Sequence, residues 1–474
     1  MKTMKRVKTV ATRLSDFGKW YTDICLKAEL IAYSEAKGFI IYLPYGYALW
    51  ENIQKHLNCI LQKTGHQNVY FPLVFPEKLF HKEKEHIQGF SPEAAMITTT
   101  GKKNLSEKLV IRPTSEILFS QYYSKTITSY RDLPKLYNQW CNVVRWEKTT
   151  KPFLRGKEFL WQEGHTVHAT EQEAMQQTLS ILDIYQKLGK DLLALPFVCG
   201  KKTETEKFAG ALITYSIEAL MHDGQALQAG TSHYLGIIFA KSFQIQFQDC
   251  DNQKKYAHQT SWGVSTRLIG ALIMVHSDDE GLVLPPYVAP MQIVIIPLQT
   301  QDESVKQVSE NLFSILQKNY RVHLDLQDKT AGWKFSQYEL KGVPLRIEIG
   351  KRGLENDEVT IFQRYNFAKQ NIKIKDFPSQ IPQLFETMHN NMYQKALQHL
   401  EQNRKQATTY EEFKTYLKQG GYVAMSISGT DAELQIKQET GATARVILET
   451  NLITANCPVT NKKALQTVLF ARAY

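Results

Sequence analysis

Cysteine is sparse and scattered in this chain. Cys25, Cys59, Cys141, Cys199, Cys250 and Cys457 include no close pair, which excludes a disulfide framework or a paired-cysteine zinc knuckle and leaves reduced, mostly buried thiols as the expectation. Long apolar runs are missing as well: residues 291–298 form the longest, far below the ~20 residues of a membrane helix. Residues 1–10 are basic but lack the apolar stretch and small-residue cleavage site of a secretory leader. A cytoplasmic protein with no membrane association is expected. Internal repeats and low-complexity tracts are absent too. Acidic residues are in the minority, 47 Asp and Glu against 57 Lys and Arg, for a formal net charge of +10. That balance disfavours an acidic surface and favours a polyanionic partner, because phosphates attract Lys and Arg and release counterions on binding.

What is present reads as an ordinary globular chain, with 43% hydrophobic and 22% charged residues. A chain of 474 residues exceeds one typical domain, so two or three are expected. Ser15 is placed to cap a helix whose stripe is Phe17, Trp20, Tyr21, Ile24, Ala28 and Ile31. Pro44-Tyr45-Gly46 reads as a turn, residues 48–61 as a second helix, and residues 68–73 as a strand interrupted by Pro72. Short strands and polar turns are expected over 108–161, a helix over 204–222 with Phe208, Leu212, Tyr215 and Ala219 on one face, and a strand over 227–235. Pro285-Pro286 suggests a boundary. Beyond it, apolar strands near 293–296, 322–326 and 343–349 alternate with helices over 304–318 and 332–340, as in a small α/β domain. A long polar helix over 380–406 leads to a final segment, 410–474.

Several runs carry chemistry only together. Arg145-Trp146-Glu147 precedes a polar loop over 148–157, then Glu158-Phe159-Leu160-Trp161-Gln162-Glu163-Gly164-His165-Thr166. Gly263-Val264-Ser265-Thr266-Arg267-Leu268-Ile269-Gly270 is a glycine-rich turn with an arginine opening a helix. Arg112-Pro113-Thr114-Ser115-Glu116 and Leu227-Gln228-Ala229-Gly230-Thr231-Ser232-His233 complete the set. Singly, each has a bland explanation: Arg145 and Glu147 as a surface ion pair, Glu116 as a surface carboxylate, and Trp161, His165 and His233 as core residues. In this order and combination the chain resembles the prolyl-tRNA synthetases of class II, almost word for word in the 158–166 run, and the resemblance covers nearly the whole chain.

The resemblance implies an α+β protein: a class II antiparallel-sheet catalytic domain over 1–288, an α/β anticodon-binding domain over 289–392 and a small α+β C-terminal domain over 393–474. It implies a proline–tRNA ligase using L-proline, ATP with Mg2+, and tRNA(Pro), working as a homodimer through a first motif around Gly65 and Pro72. By the same resemblance, Arg145 clamps the α-phosphate and the proline carboxylate, and Arg267 holds the γ-phosphate of a bent ATP; these are the catalytic arginines. Glu147 contacts the adenine end, Arg155 and Gly156 cover the ATP, Gln228 and Thr231 meet ATP and its magnesium, and Ser265 completes the nucleotide site. Thr114, Glu116, Trp161, Glu163, His165 and His233 surround proline. A secondary ammonium has two N–H donors, and the Thr114 hydroxyl and Glu116 carboxylate can accept both. Gly230 suits close approach of backbone to a ligand.

Between Thr166 and Trp262 there is no room for another domain, so the chain is similar to the archaeal and eukaryotic type without the editing insertion. An apolar ring pocket rejects a smaller side chain by only about 1–3 kcal/mol per missing methylene, so activation of alanine, and in lesser degree cysteine, is expected. Residues 332–350 resemble the family's anticodon-binding domain. Glu339 and Glu348 are candidates to accept from guanine N–H groups, with Lys334 and Arg346 for phosphate or O6, against the alternative of solvent-facing charges. The last segment departs from the family. Where relatives place four zinc-binding cysteines, this chain has Ser428, Ala432, Val446 and Cys457, with Thr460 nearby, and one thiol cannot hold tetrahedral zinc. Tyr474 ends the chain as in relatives whose terminal tyrosine docks near the active site. A synthetase-like protein without catalysis would lose a motif arginine or the pocket residues, and a threonine or glycine enzyme is disfavoured by the Trp161 strand and Thr114 loop.

Overall fold

The computed structural model describes residues 10–84, 94–450 and 455–474; the basic start, apart from Val10, lies outside them. The helix Phe17–Lys27 buries Trp20, Tyr21, Ile24 and Cys25. Its cap is Asp16, which accepts from the Lys19 N–H at 2.8 Å, and not Ser15, which bonds back to Thr12. The next helix, Pro44–Lys63, begins before residue 48. The expected turn at 44–46 is instead its first turn, since proline at the first helical position loses no intrahelical bond.

The centre of the molecule is an 11-stranded sheet. Its inner strands Val198–Lys201, Ile213–Leu220, Ala226–Gly236, His258–Ser265, Glu158–His168 and Lys135–Val144 are antiparallel neighbours in that order. Alternation assigns their side chains to two faces. One face takes the helix Glu171–Leu193: Tyr185 donates to Gln162 at 2.7 Å, and Ser232 donates to the Thr178 carbonyl at 2.8 Å. Gly164 belongs to this face because a Cβ there would lie 2.1 Å from the Trp262 ring. The opposite face carries Trp161, Glu163, His165, Thr231 and His233.

Two stretches differ from the sequence reading. Residues 204–222 are not a helix but a turn followed by the strand Ile213–Leu220. The three- and four-residue spacing of Phe208, Leu212, Tyr215 and Ala219 coexists with period-two alternation, and pairing to strands on both sides selects the latter. Within 108–161 a helix, Glu116–Thr126, stands among the strands. Residues 68–73 contribute only the end of a short edge strand, Gln67–Asn68, parallel to Lys135–Val144.

Residues from 293 onward build a separate apolar core around Ile293, Ile295, Leu345, Ile347 and Ile361. It lies on a five-stranded sheet in which Val322–Leu324, Ile293–Pro297 and Leu345–Ile349 are parallel, and Glu358–Gln363 and Lys369–Lys373 antiparallel. The helix Phe377–Gln402 runs through position 392, so the expected division there falls inside a helix whose physical end is at Asn403. The last strands do not form a sheet of their own. They continue the central one, Thr443–Glu449 meeting Val198–Lys201 at Ile447 and Lys201.

Candidate active site

A cavity of about 550 Å³ opens on the uncovered face of the inner strands. Every residue that the sequence assigned to proline, ATP or catalysis lines it. Arg145 follows the strand Lys135–Val144 and Arg267 opens the helix Arg267–His276, far apart in the chain. Each is fastened by its Nε to a main-chain carbonyl, Arg145 to Pro113 and Arg267 to Leu154, both at 2.9 Å. The Arg145 guanidinium also sits 5.4 Å from the ring centres of Phe159 and Trp161. Burial lowers both guanidinium pKa values. For Arg267 the nearby charges of Arg145 and Arg155 add to burial and bring it down to about 10. Both guanidinium groups line the one cavity, and an anion there would relieve the repulsion acting on Arg267.

At the other end, Glu163 is buried and hydrogen-bonded on all sides. His165 Nε2 lies 2.9 Å away, Gln139 donates at 2.8 Å and Ser115 at 2.5 Å. Burial alone would raise its carboxyl pKa, but these partners outweigh it and hold the value below the ordinary range. His165 stacks on Phe119 with ring centres 4.1 Å apart. His233 bonds through Nδ1 to Thr214 at 2.9 Å and faces Phe208 at 4.8 Å. Burial, with His165 nearby, lowers its pKa to about 3, so it is a neutral wall at physiological pH. Thr114 donates a short hydrogen bond to Glu116. At the cavity rim, Glu147 lies 3.7 Å from Arg155.

Gly230 lines the cavity, yet its lack of a side chain serves the sheet first, since a Cβ would lie 2.6 Å from Val264 Cγ1. Sequence reasoning missed Phe208, Thr214 and the segment Glu206 to Ala209, which also line the cavity. Reading 213–220 as a strand would have found Thr214 directly opposite His233.

The anticodon candidates lie elsewhere, in the region beyond 289. Lys334, Glu339, Arg346 and Glu348 are all buried, so they are not solvent-facing charges. They spend their polar atoms on protein partners: Arg346 reaches Glu339 at 2.8 Å and Glu348 at 2.9 and 3.0 Å, and Lys334 lies 3.3 Å from Asp325. In the last segment, Ser428 and Thr460 hydrogen-bond at 2.8 Å, Ala432 and Cys457 are buried in one apolar cluster, and Val446 is buried in another. A hydroxyl pair, two alkyl groups and one thiol do not fit zinc. Tyr474 donates to Asp223, and its ring lies 4.5 Å from the Lys151 ammonium in the loop that borders the cavity.

An antiparallel sheet with two arginines converging on one cleft defines a class II aminoacyl-tRNA synthetase. Residues 98–276 match the tRNA synthetase class II core domain (G, H, P, S and T), 292–384 the anticodon binding domain, and 410–474 the prolyl-tRNA synthetase C-terminal family. The chain belongs to the proline–tRNA ligases. It is 96% identical over 474 residues to the proline–tRNA ligase of Onion yellows phytoplasma (strain OY-M), covering 100% of both chains. It is 48% identical over 476 residues to that of Clostridium novyi (strain NT), again covering 100% of both. Its fold superposes on a crystal structure of prolyl-tRNA synthetase from Cryptosporidium parvum complexed with halofuginone and AMPPNP, with a TM-score of 0.95 and 40% identity over 98% of this chain and 99% of that one.

Proposed function

We propose that the cleft carries out both steps of proline–tRNA ligation. The proline carboxylate attacks the α-phosphate of ATP and expels pyrophosphate; a terminal ribose hydroxyl of tRNA(Pro) then attacks the prolyl-adenylate carbonyl and releases AMP. Both reactants of the first step are anions, so the site must offset their repulsion and hold them in line. Arg145 bridges the α-phosphate and the proline carboxylate, and Arg267 holds the γ-phosphate. Glu147, Arg155 and Gly156 enclose the adenine end, with Ser265 beside the phosphates. Thr114 and Glu116 accept the two ring N–H donors of proline, and Trp161, Glu163, His165 and His233 enclose the ring. No side chain acts as a covalent nucleophile.

Magnesium accompanying ATP draws most of its ligands from phosphates and water, so the neutral oxygens of Gln228 and Thr231 suit its outer contacts. The observation that carries this reading is the convergence of Arg145 and Arg267, each fastened at Nε. Its test is ATP–pyrophosphate exchange across the twenty amino acids, followed by charging of tRNA(Pro). Exchange should be strongest with proline; exchange with proline no higher than with the other amino acids would defeat the reading.

The remaining assignments extend this one. The region from 289 to Asn403 reads the anticodon, and its buried Arg346 cluster shapes the reading surface from below. The edge around Gly65, Gln67 and Pro72 forms a homodimer contact, and the enzyme works in the cytoplasm. No described helix is long and apolar enough to cross a membrane. The division into catalytic, anticodon and C-terminal parts falls near 288 and at the helix end, Asn403.

A further inference from the structure

The strand Ile213–Leu220 carries a polar row on its cleft side. Pairing with Ala226–Gly236 sets Thr214 opposite His233 and Ser216 opposite Thr231; after an irregularity between Ile217 and Glu218, it sets Glu218 opposite Gln228. The first of these lines the cavity; Glu218 is completely buried. Its cover comes from outside the catalytic core. Arg445, on the strand Thr443–Glu449, grips Glu218 Oε2 at 3.0 and 2.7 Å through Nε and Nη2. Lys202 and Ser216 donate to Oε1 at 3.0 and 2.9 Å. Arg445 and Lys202 are themselves buried.

A buried carboxylate shared by two cations is a poor source of stability, because desolvation consumes most of the attraction. Such a cluster gives geometry instead. It stands at a bulge, a feature that re-aims side chains next to active sites. The strand it pins runs beside Gln228, whose carbonyl receives Arg267 Nη1 at 3.5 Å. Glu218 is also one of the carboxylates whose charge acts on Arg267.

We propose that Arg445, contributed by the C-terminal region, is a positioning residue for the ATP triphosphate: by fixing Glu218 at the bulge, it sets where Gln228, Thr231 and Arg267 stand. This rests on the assignment of Arg267 to the γ-phosphate and of Gln228 and Thr231 to ATP and its magnesium. The C-terminal region thereby becomes a structural part of the nucleotide site rather than an appendage.

The test is steady-state ATP–pyrophosphate exchange on the full chain, with KM measured separately for ATP and proline. Arg445→Met should raise the KM for ATP by at least about fivefold, a modest coupling between sites, and leave the KM for proline within about twofold. Arg445→Lys keeps the charge without the two-pronged grip and should fall between; it carries the test if the methionine variant does not fold. Adding Glu218→Gln to Arg445→Met should do no further harm to the KM for ATP, because both act through one contact. An unchanged KM for ATP with a lowered Tm, equal rises in both KM values, or additive effects in the double variant would overturn the proposal. Arg267→Ala separates the underlying assignment: wild-type exchange in that variant refutes the triphosphate site itself, whatever Arg445 does.

Discussion

Arginine is used in two regions of this molecule in opposite ways, half-buried at 145 and 267 and buried at 346. In the cleft, Arg145 and Arg267 are each held at Nε by one main-chain carbonyl, and among the described residues no carboxylate pairs with either of them within ion-pair distance. In the region beyond 289, Arg346 uses Nε, Nη1 and Nη2 on Glu348 and Glu339, and lies between the rings of Phe335 and Phe362 at 3.9 and 4.0 Å. The first arrangement leaves positive charge to be met by a ligand; the second is neutralised within the protein. Exposure follows the pairing: Arg145 and Arg267 keep part of their surface open to the cleft, whereas Arg346 is closed in by its partners.

The sharpest way to break this contrast is Arg145→Ala. If the cleft charge awaits a ligand, adenylation should fall at least ~100-fold, as for loss of one preorganised donor at a reacting centre, with little change in thermal stability. Pyrophosphate exchange alongside calorimetry checks it, and intact exchange would erase the distinction. Glu339→Ala should do the reverse, lowering stability by on the order of 2 kcal/mol, below the full cost of stranding a buried ion because Glu348 stays with Arg346. It should also reduce charging of tRNA(Pro) while exchange stays intact; equal loss in both assays would reject an anticodon role for that cluster.

A smaller effect sharpens the picture of the proline end. Alanine should support detectable exchange, since the missing methylenes are worth only about 1–3 kcal/mol each. Exchange with alanine at the level of a blank without amino acid would show an unforeseen source of selectivity. The smallest effect concerns Glu163. Its folded pKa is depressed, so its contribution to stability is complete above the ordinary carboxylate value and is lost as pH falls through the folded one. Glu163→Gln should therefore show a shallower loss of Tm on acidification than the parent chain; parallel curves would remove the network from the acid response.

The cavity lining was legible because several short runs, each bland alone, together resemble one family. Arg145 follows a strand, the Glu158 to Thr166 run makes up most of the next one and Arg267 opens a helix. The strand Ile213–Leu220 was not legible. Its spacing fits a helix as well as a strand, and only pairing on both edges decides between them. Phe208 and Thr214 were lost with it. Sequence likewise does not show that Phe335 and Phe362 lie against Arg346 or that Asp325 pairs with Lys334.

By itself the sequence determined the chemistry: which side chains exist, in which order, and on which kind of local segment, since hydrogen-bonding capacity and charge belong to the residue. Tertiary structure alone decided which charges stay unmatched and which cancel, and that the last strands extend the catalytic sheet to bring Arg445 onto Glu218. The last of these depends on a contact between residues more than two hundred positions apart, and no local pattern encodes it.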